Sequence, residues 1–175
     1  MKRLAYVIPL GLALALTAAL PASAANTPDQ SNVPVEIRVP DGYTRVATTE
    51  GRGYQIYDCA DGAWKFREPT ADILDPLSRE QIASHYAGPT WESTTDGSKV
   101  VGAVDARAEA PDPAGDIPWL LLKATDTSGT GVFDDVAYIQ RLDTVGGAAP
   151  AGECLAGMTA RIPYMSTYDF WAAKK

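Results

Sequence analysis

The chain has 175 residues, of which 15 are lysine or arginine and 22 are aspartate or glutamate, so its formal net charge at pH 7 is −7. An acidic protein repels phosphate backbones and anionic membrane surfaces, which excludes nucleic acid as a predicted partner. The length fits one domain of ordinary size preceded by a targeting segment.

The first 24 residues have the order of a secretory signal peptide. Lys2 and Arg3 precede an uncharged run over residues 4–20, and small residues follow at 22–24. This order predicts cleavage after the small residues, and the apolar run is short for a membrane span, which needs about 20 residues. The sequence therefore predicts a secreted protein of the extracellular space, periplasm or cell envelope, with no membrane span after cleavage.

A short lead-in precedes the first strand signal. Residues 25–34 are polar and aperiodic, as is typical of a flexible segment, and one β domain is predicted over residues 35–172. Residues 35–39 (VEIRV) alternate strictly between apolar and charged side chains, which predicts a strand. Residues 40–43 (PDGY) predict a turn, since proline presets its backbone angle and glycine accepts a positive φ.

The next two strands are predicted to form a hairpin. Residues 51–59 (GRGYQIYDC) predict one strand, and residues 64–68 (WKFRE) predict a second, in which Trp64 and Phe66 share a face. The Asp-Gly pair at 61–62 lies between them, where it favours a two-residue hairpin turn.

One segment of the chain has helical character. Residues 78–86 (SREQIASHY) follow a candidate capping residue and end before the Gly-Pro pair at 88–89, so at most one short helix is predicted there. Residues 88–91 then predict entry into a short strand.

The clearest alternation lies at residues 98–109. One face of this predicted strand carries small and apolar residues, namely Val100, Gly102, Val104, Ala106 and Ala108. The other face carries the charged residues Lys99, Asp105, Arg107 and Glu109. The pattern therefore predicts that Arg107 faces away from the core.

The C-terminal half continues with strand signals. Residues 117–124 (IPWLLLKA) are apolar on both faces, which predicts a central strand covered on two sides. A glycine-rich turn leads into a long strand ending near residue 144, and residues 160–171 predict one or two last strands. About eight to ten strands with regular turn signals predict an all-β fold, an antiparallel sandwich or barrel.

Cys59 and Cys154 are the only cysteines of the chain. In an oxidising compartment pairing is the default, while two free thiols or a shared metal are the alternatives. A zinc site needs four ligands, and one histidine with two distant cysteines supplies them poorly, so no metal site is predicted.

Residues 85–98 (HYAGPTWESTTDGS) hold the only histidine and a concentration of polar and aromatic side chains. Imidazole titrates near neutral pH, aromatic faces stack on rings, and carboxylates accept hydroxyl protons. We predict a non-covalent site for an unknown small molecule or a glycan in this segment. The candidate ligand-binding residues are His85, Trp91, Glu92, Asp96 and Trp119.

Other interpretations of the same segment remain open. In a purely structural one, His85 bonds a loop carbonyl, Trp91 fills the core and the Asp-Gly pair at 96–97 forms a turn. A second is a small extracellular hydrolase that uses His85 with a serine or a carboxylate, and a third is a structural envelope component. The chain lacks a P-loop and a dinucleotide fingerprint, so no cofactor is predicted, and no catalytic residue is assigned. The oligomeric state has no signal in the sequence.

Several long motifs of the chain resemble one family. The stretches VPDGY, GYQIYDC, WKFREPTADILD, HYAGPTWESTTDGSKVVG, APDPAGDIPWLLLKA, GVFDDVAYIQRLDTVGGAAPAGEC and RIPYMSTYDF occur in this order, over about residues 33–171. They resemble the secreted bacterial and fungal proteins grouped as domain-of-unknown-function family 3455. That family places cysteines at matching positions, so the resemblance also implies a bridge between Cys59 and Cys154. It carries no established activity, and therefore implies no role for the other residues.

Overall fold

The computed structural model describes residues 29–175, so the predicted signal peptide and the first residues of the predicted lead-in lie outside the described range. Eight antiparallel strands form one sheet in which each strand pairs with its neighbours in sequence, and the last strand pairs with the first. The elements are a 3-10 helix at Val35–Ile37 and strands β1 (Tyr43–Ala60), β2 (Ala63–Leu74), β3 (Gln81–Tyr86), β4 (Thr90–Ser93), β5 (Lys99–Ala108), β6 (Trp119–Ser128), β7 (Val136–Gly146) and β8 (Thr159–Ala173).

This topology confirms the all-β prediction and decides between its two alternatives. The ring of strands is closed, so the described chain forms a barrel and not a two-sheet sandwich. Closure removes unpaired strand edges, which otherwise invite aggregation. Among residues 29–175, no helix is long and apolar enough to cross a membrane.

Two of the predicted secondary-structure elements are wrong. Residues 35–39 do not form a strand: Val35–Ile37 is a 3-10 helix, and Ile37 and Val39 are buried against the outside of the barrel. The closed ring offers this segment no free edge to pair with.

The helix predicted within 78–86 is also absent, because residues 81–86 form β3 and pair with β2 and β4. Ala83 and His85 are buried within β3, so burial alternates along the strand with a period of two. The capping residue before this segment and the Gly-Pro pair after it had suggested a helix instead.

The alternation predicted for residues 98–109 breaks at a β-bulge. Val104 pairs with Leu122, but the next ladder pair is Ala106 with Leu121, so one residue is skipped. An extra residue in one strand reverses the side on which all later side chains lie. Ala106 therefore packs on the outside of the barrel, and the predicted common face of Val104, Ala106 and Ala108 is wrong.

The prediction of a strand covered on both faces is confirmed for β6. Leu120 and Leu122 belong to the cluster inside the barrel, together with Ile139 and Phe170. Leu121 belongs to a second cluster on the outside, where the N-terminal segment packs against it. The outer cluster contains Ile37, Val39, Leu142 and Trp171 as its other fully buried members.

Gln140 on β7 fastens the N-terminal segment to the barrel. Its side chain is fully buried, and its Nε2 donates to the Ile37 carbonyl at 2.7 Å and to Oε1 of Gln30 at 3.1 Å. Its Oε1 accepts a hydrogen bond of 2.9 Å from the Trp171 indole. Gln30 in turn accepts from the Val39 amide at 2.8 Å. The amide of Gln140 thus satisfies polar groups that have no access to water.

We expect Gln140→Leu to lower the free energy of unfolding by about 2–6 kcal/mol. The substitution keeps a side chain of similar size but leaves the Ile37 carbonyl and the Trp171 indole buried without partners, at about 1–3 kcal/mol for each unsatisfied group. Urea denaturation measures the loss. Gln81→Leu on β3 is the matched control, because Gln81 is exposed. Equal effects of the two substitutions would contradict this role of Gln140.

The predicted hairpin and the predicted disulfide lie next to each other. Asp61 and Gly62 have φ angles of 54° and 76° and join β1 to β2, which confirms the Asp-Gly turn. Cys59 is bonded to Cys154, with Cα atoms 5.8 Å apart. The bridge fastens the segment between β7 and β8 to this hairpin, and the Cys154 amide also donates to the Gly62 carbonyl at 3.2 Å.

Candidate functional site

A cavity of about 600 Å³ opens at one end of the barrel, and all eight strands contribute to its wall. Its deeper wall is made of buried side chains, whereas Phe66 and Val104 at the rim are 55% and 41% exposed. Beyond the cavity, the interior is filled by apolar side chains such as Ile139 and Phe170. The cavity volume lies within the range of about 300–1,000 Å³ that is usual for sites of small organic molecules.

Three rings form the deep wall of the cavity. His85 and Trp91 face each other across β3 and β4 and are stacked, with ring centroids 4.2 Å apart and an angle of 14° between the planes. Tyr168 on β8 meets both rings edge-on, with a centroid distance of 5.4 Å to each. Gly51 on β1 gives Tyr168 room, because a Cβ there would lie 2.5 Å from the Tyr168 ring. The result is a closely packed, buried aromatic wall.

His85 is held neutral in this wall. Burial lowers its pKa from 6.5 to about 3, and the charge of Arg141 adds to the shift, although the hydrogen bond to Thr90 opposes it. Its Nδ1 lies 2.9 Å from the Thr90 carbonyl, which can only accept, so Nδ1 carries the proton. The other ring nitrogen, Nε2, is therefore an acceptor at neutral pH.

Two buried donors line the cavity without a partner. Within residues 29–175, Nε2 of Gln55 and Nε1 of Trp91 make no hydrogen bond, although the residues are only 2% and 1% exposed. An unsatisfied buried donor costs about 1–3 kcal/mol, so such groups are rare in folded proteins and call for an explanation. A polar group on a molecule bound in the cavity would accept these hydrogen bonds and so explain the unpaired donors.

Two arginines reach the cavity from β5 and β7, the strands on either side of β6. Arg107 on β5 pairs with Leu120 on β6, and Leu120 pairs in turn with Arg141 on β7. The row continues to Tyr168, which pairs with Arg141. All four residues line the cavity. The bulge in β5 places Arg107 on this face, so the prediction that it points away from the interior is wrong.

The third arginine of the cavity rim is already neutralised. Arg67 bonds Asp58 at 3.0 Å and Glu68 at 3.0 Å. In contrast, neither Arg107 nor Arg141 forms an ion pair with any residue of the range 29–175. The cavity of this acidic protein therefore has a surplus of positive charge at its mouth.

The predicted ligand-binding residues are only partly brought together. His85 and Trp91 share the deep wall of the cavity. Glu92 lies outside the lining, where it accepts from the Tyr86 hydroxyl at 2.6 Å and pairs with Lys99 at 3.2 Å. Trp119 packs in the outer cluster, on the other face of β6.

Asp96 also lies away from the cavity and holds two loops together. It accepts hydrogen bonds from the Ser98 hydroxyl at 2.6 Å, the Ser98 amide at 2.9 Å and the Val132 amide at 3.1 Å. The bonds from Ser98 and Val132 lower its pKa to about 2. These contacts agree with the purely structural interpretation, in which the Asp-Gly pair at 96–97 forms a turn. No cluster of three or more potential metal ligands occurs in the described part of the chain.

One sequence comparison identifies a protein family. A family model described as a protein of unknown function, DUF3455, matches residues 40–172. The chain belongs to the DUF3455 family. No curated protein and no solved structure shows significant similarity to this DUF3455 member.

Sequence reasoning missed several lining residues of this DUF3455 protein. Arg141 lies two residues after Ile139 on β7, so both side chains are on the same face of the strand. A charge on the inward face of β7 was therefore visible in the sequence. In the same way, Tyr168 lies two residues before Phe170 on β8 and shares its inward face. Arg107 could not have been found, because the bulge that turns it inward has no signal in the alternation. No sequence signal marks Gln55; what distinguishes it is the buried and unpaired amide nitrogen in the folded barrel.

Proposed function

We propose that this protein is a non-catalytic binding module that takes up a small, largely apolar molecule in the cavity of its barrel. The observation that carries the proposal is a cavity of about 600 Å³ whose buried wall combines aromatic rings with two unpaired N–H donors. Eight-stranded barrels are wide enough to hold one small ligand, and binding sites are commonly apolar with a few polar groups that orient the ligand.

The wall is suited to flat or ring-containing molecules. The stacked pair of His85 and Trp91 and the edge of Tyr168 provide ring surfaces that do not have to be ordered on binding. A preformed wall lowers the entropic cost of association. The Gln55 amide and the Trp91 indole would donate to a ligand oxygen or nitrogen. A glycan fits this wall less well than an apolar ring, because sugars need more polar partners than these.

The hydrolase alternative has weaker support. A general base needs a nucleophile or an orienting carboxylate within about 2.6–3.2 Å and a pKa near the working pH. His85 instead bonds the main-chain carbonyl of Thr90, and its pKa of about 3 makes it a weak base at neutral pH. A structural envelope role would leave the open cavity and its unpaired donors without a purpose.

We also propose that the protein is secreted. The support is the basic, apolar and small-residue order of its first 24 residues and the bond between Cys59 and Cys154. Disulfides persist in oxidising compartments and are rare in the cytosol of most organisms.

We expect the neutral fluorophore N-phenylnaphthylamine to bind one site in the protein, and Val104→Trp to weaken this binding about tenfold or more. Val104 lines the cavity rim and is 41% exposed, so an indole there would fill the entrance without disturbing the core. A tenfold loss corresponds to about 1.4 kcal/mol. Fluorescence titration measures the affinity.

The matched control is Val46→Trp on β1. Val46 is a strand valine of similar exposure, 51%, and it does not line the cavity. Its replacement should leave the affinity unchanged. Lack of binding to the unmodified protein, or an equal loss in both variants, would refute the cavity as a binding site.

A further inference from the structure

The row of residues across β5, β6 and β7 indicates the charge of the ligand, which the size of the cavity does not reveal. Arg107 and Arg141 flank Leu120 on the same face of the sheet. Neighbouring strands are about 4.7–4.9 Å apart, so the two arginine Cα atoms are separated by about 10 Å. Two guanidinium groups on such a row can reach the same oxygen-bearing group from opposite sides.

The two arginines differ in how firmly they are held. Arg141 is half-buried, and its Nε and Nη2 donate to the Pro118 carbonyl at 3.2 and 2.9 Å. A guanidinium has five N–H donors, so this leaves three for other partners. Arg107 is exposed and makes no hydrogen bond or ion pair with residues 29–175. Arg141 is therefore a fixed point of positive charge, and Arg107 can move towards a ligand.

The contrast with Arg67 shows that the surplus charge is local. At the same rim the protein supplies Asp58 and Glu68 to neutralise Arg67. Among residues 29–175, no carboxylate pairs with Arg107 or Arg141, although acidic residues outnumber basic ones in the chain by 22 to 15. Guanidinium groups that lack a carboxylate partner attract carboxylate, sulfonate or phosphate groups, which they can bind through two parallel hydrogen bonds.

We infer that the ligand is an amphipathic organic anion, with an apolar ring body against His85, Trp91 and Tyr168 and its anionic group between Arg107 and Arg141. This inference rests on the proposed function and adds the charge of the ligand and its orientation. The anionic group lies at the mouth, where it keeps partial contact with water. The apolar part lies inside, where Gln55 and the Trp91 indole donate to any polar atom that it carries.

Two related probes test the charge separately from the cavity. Anilinonaphthalene sulfonate has the ring system of N-phenylnaphthylamine with one added sulfonate. We expect the sulfonate probe to bind the unmodified protein about tenfold more tightly or better, because charge-assisted hydrogen bonds contribute about 1.5–3 kcal/mol each. Added salt should weaken the binding of the sulfonate probe and leave the neutral probe unaffected.

Arginine variants locate the anionic group. We expect Arg107→Gln and Arg141→Gln each to weaken binding of the sulfonate probe about tenfold more than binding of the neutral probe. Arg161→Gln on β8 is the matched control, because Arg161 is an exposed arginine outside the cavity lining and changes the net charge equally. If loss of the Pro118 contact destabilises the Arg141 variant, Arg107→Gln alone decides, since that side chain makes no such contact.

The outcomes separate the two proposals. If the neutral probe fails to bind, or binds regardless of Val104→Trp, the proposed function and this inference both fail. If the neutral probe binds in the cavity but the sulfonate probe binds no more tightly, the inference alone is refuted. It is also refuted if Arg107→Gln and Arg161→Gln affect the sulfonate probe equally.

Discussion

Replacing Cys59 and Cys154 together by alanine is expected to lower the free energy of unfolding by about 4.7 kcal/mol. The bridge joins residues 95 positions apart in sequence, and it therefore removes much of the conformational freedom of the unfolded chain. In the chain-entropy model, closing a loop of about 100 residues has this effect. Few single changes elsewhere in the molecule should reach this size.

The barrel itself should survive the loss of the bridge. The Cys59 amide donates to the Met158 carbonyl at 2.9 Å, and the Cys154 amide donates to the Gly62 carbonyl, so main-chain bonds still hold this segment. Circular dichroism of the double variant should therefore match that of the unmodified protein, while urea denaturation reports the lower stability.

Reduction of the unmodified protein provides the control for this prediction. With an excess of dithiothreitol, its urea midpoint should move to that of the double alanine variant. A loss of less than about 1 kcal/mol in both experiments would mean that the bridge does not restrict the unfolded chain as the entropy model requires.

Acid is expected to destabilise the protein through His85 over the pH range from 6.5 to about 3. The folded protein keeps the buried imidazole neutral, with a pKa of about 3, whereas in the unfolded chain it titrates near 6.5. Between these values the unfolded state binds a proton that the folded state does not. The stability is therefore complete above pH 6.5 and falls as the pH decreases, by about 1.4 kcal/mol per pH unit.

His85→Asn isolates this contribution. An asparagine amide can still donate to the Thr90 carbonyl, but it does not titrate. The variant should begin less stable at pH 7.5, because the stack on Trp91 is lost. Between pH 6.5 and 5, its stability should then fall by about 2 kcal/mol less than that of the unmodified protein.

The pH window is chosen to exclude other groups. Hydrogen bonds from Arg79 and Arg52 lower the pKa of Glu50 from 4.5 to about 2, and the pKa of Asp96 falls from 3.8 to about 2. These two carboxylates therefore change the stability mainly below pH 5, as the pH falls from their ordinary values towards 2. Because the chain has a single histidine, its imidazole can also be followed directly by NMR. A midpoint near 6.5 in the folded protein, or equal slopes for both proteins between pH 6.5 and 5, would contradict the prediction.

The sites that sequence reasoning selected show what local patterns can and cannot reveal. His85 and Trp91 share the cavity wall because their strands pair in register. Glu92 has the opposite strand parity to Trp91 and is turned outward, and Asp96 lies in the following turn. Adjacency in sequence thus brought one polar-aromatic segment to attention, but a strand distributes neighbouring side chains over two faces.

The sequence by itself determined the β class of the described chain, the Asp-Gly hairpin and the two-sided burial of β6, and it made a bond between Cys59 and Cys154 the default expectation. These features depend on local periodicity, turn chemistry or the number of cysteines, which are readable without a partner segment. Only the tertiary structure decided that the sheet closes, that residues 35–39 pack outside it, and that Arg107 joins Arg141 at a cavity. Closure and the β5 bulge depend on how distant strands pair, and the alternation of apolar and polar residues within one strand does not reveal the energy of that pairing.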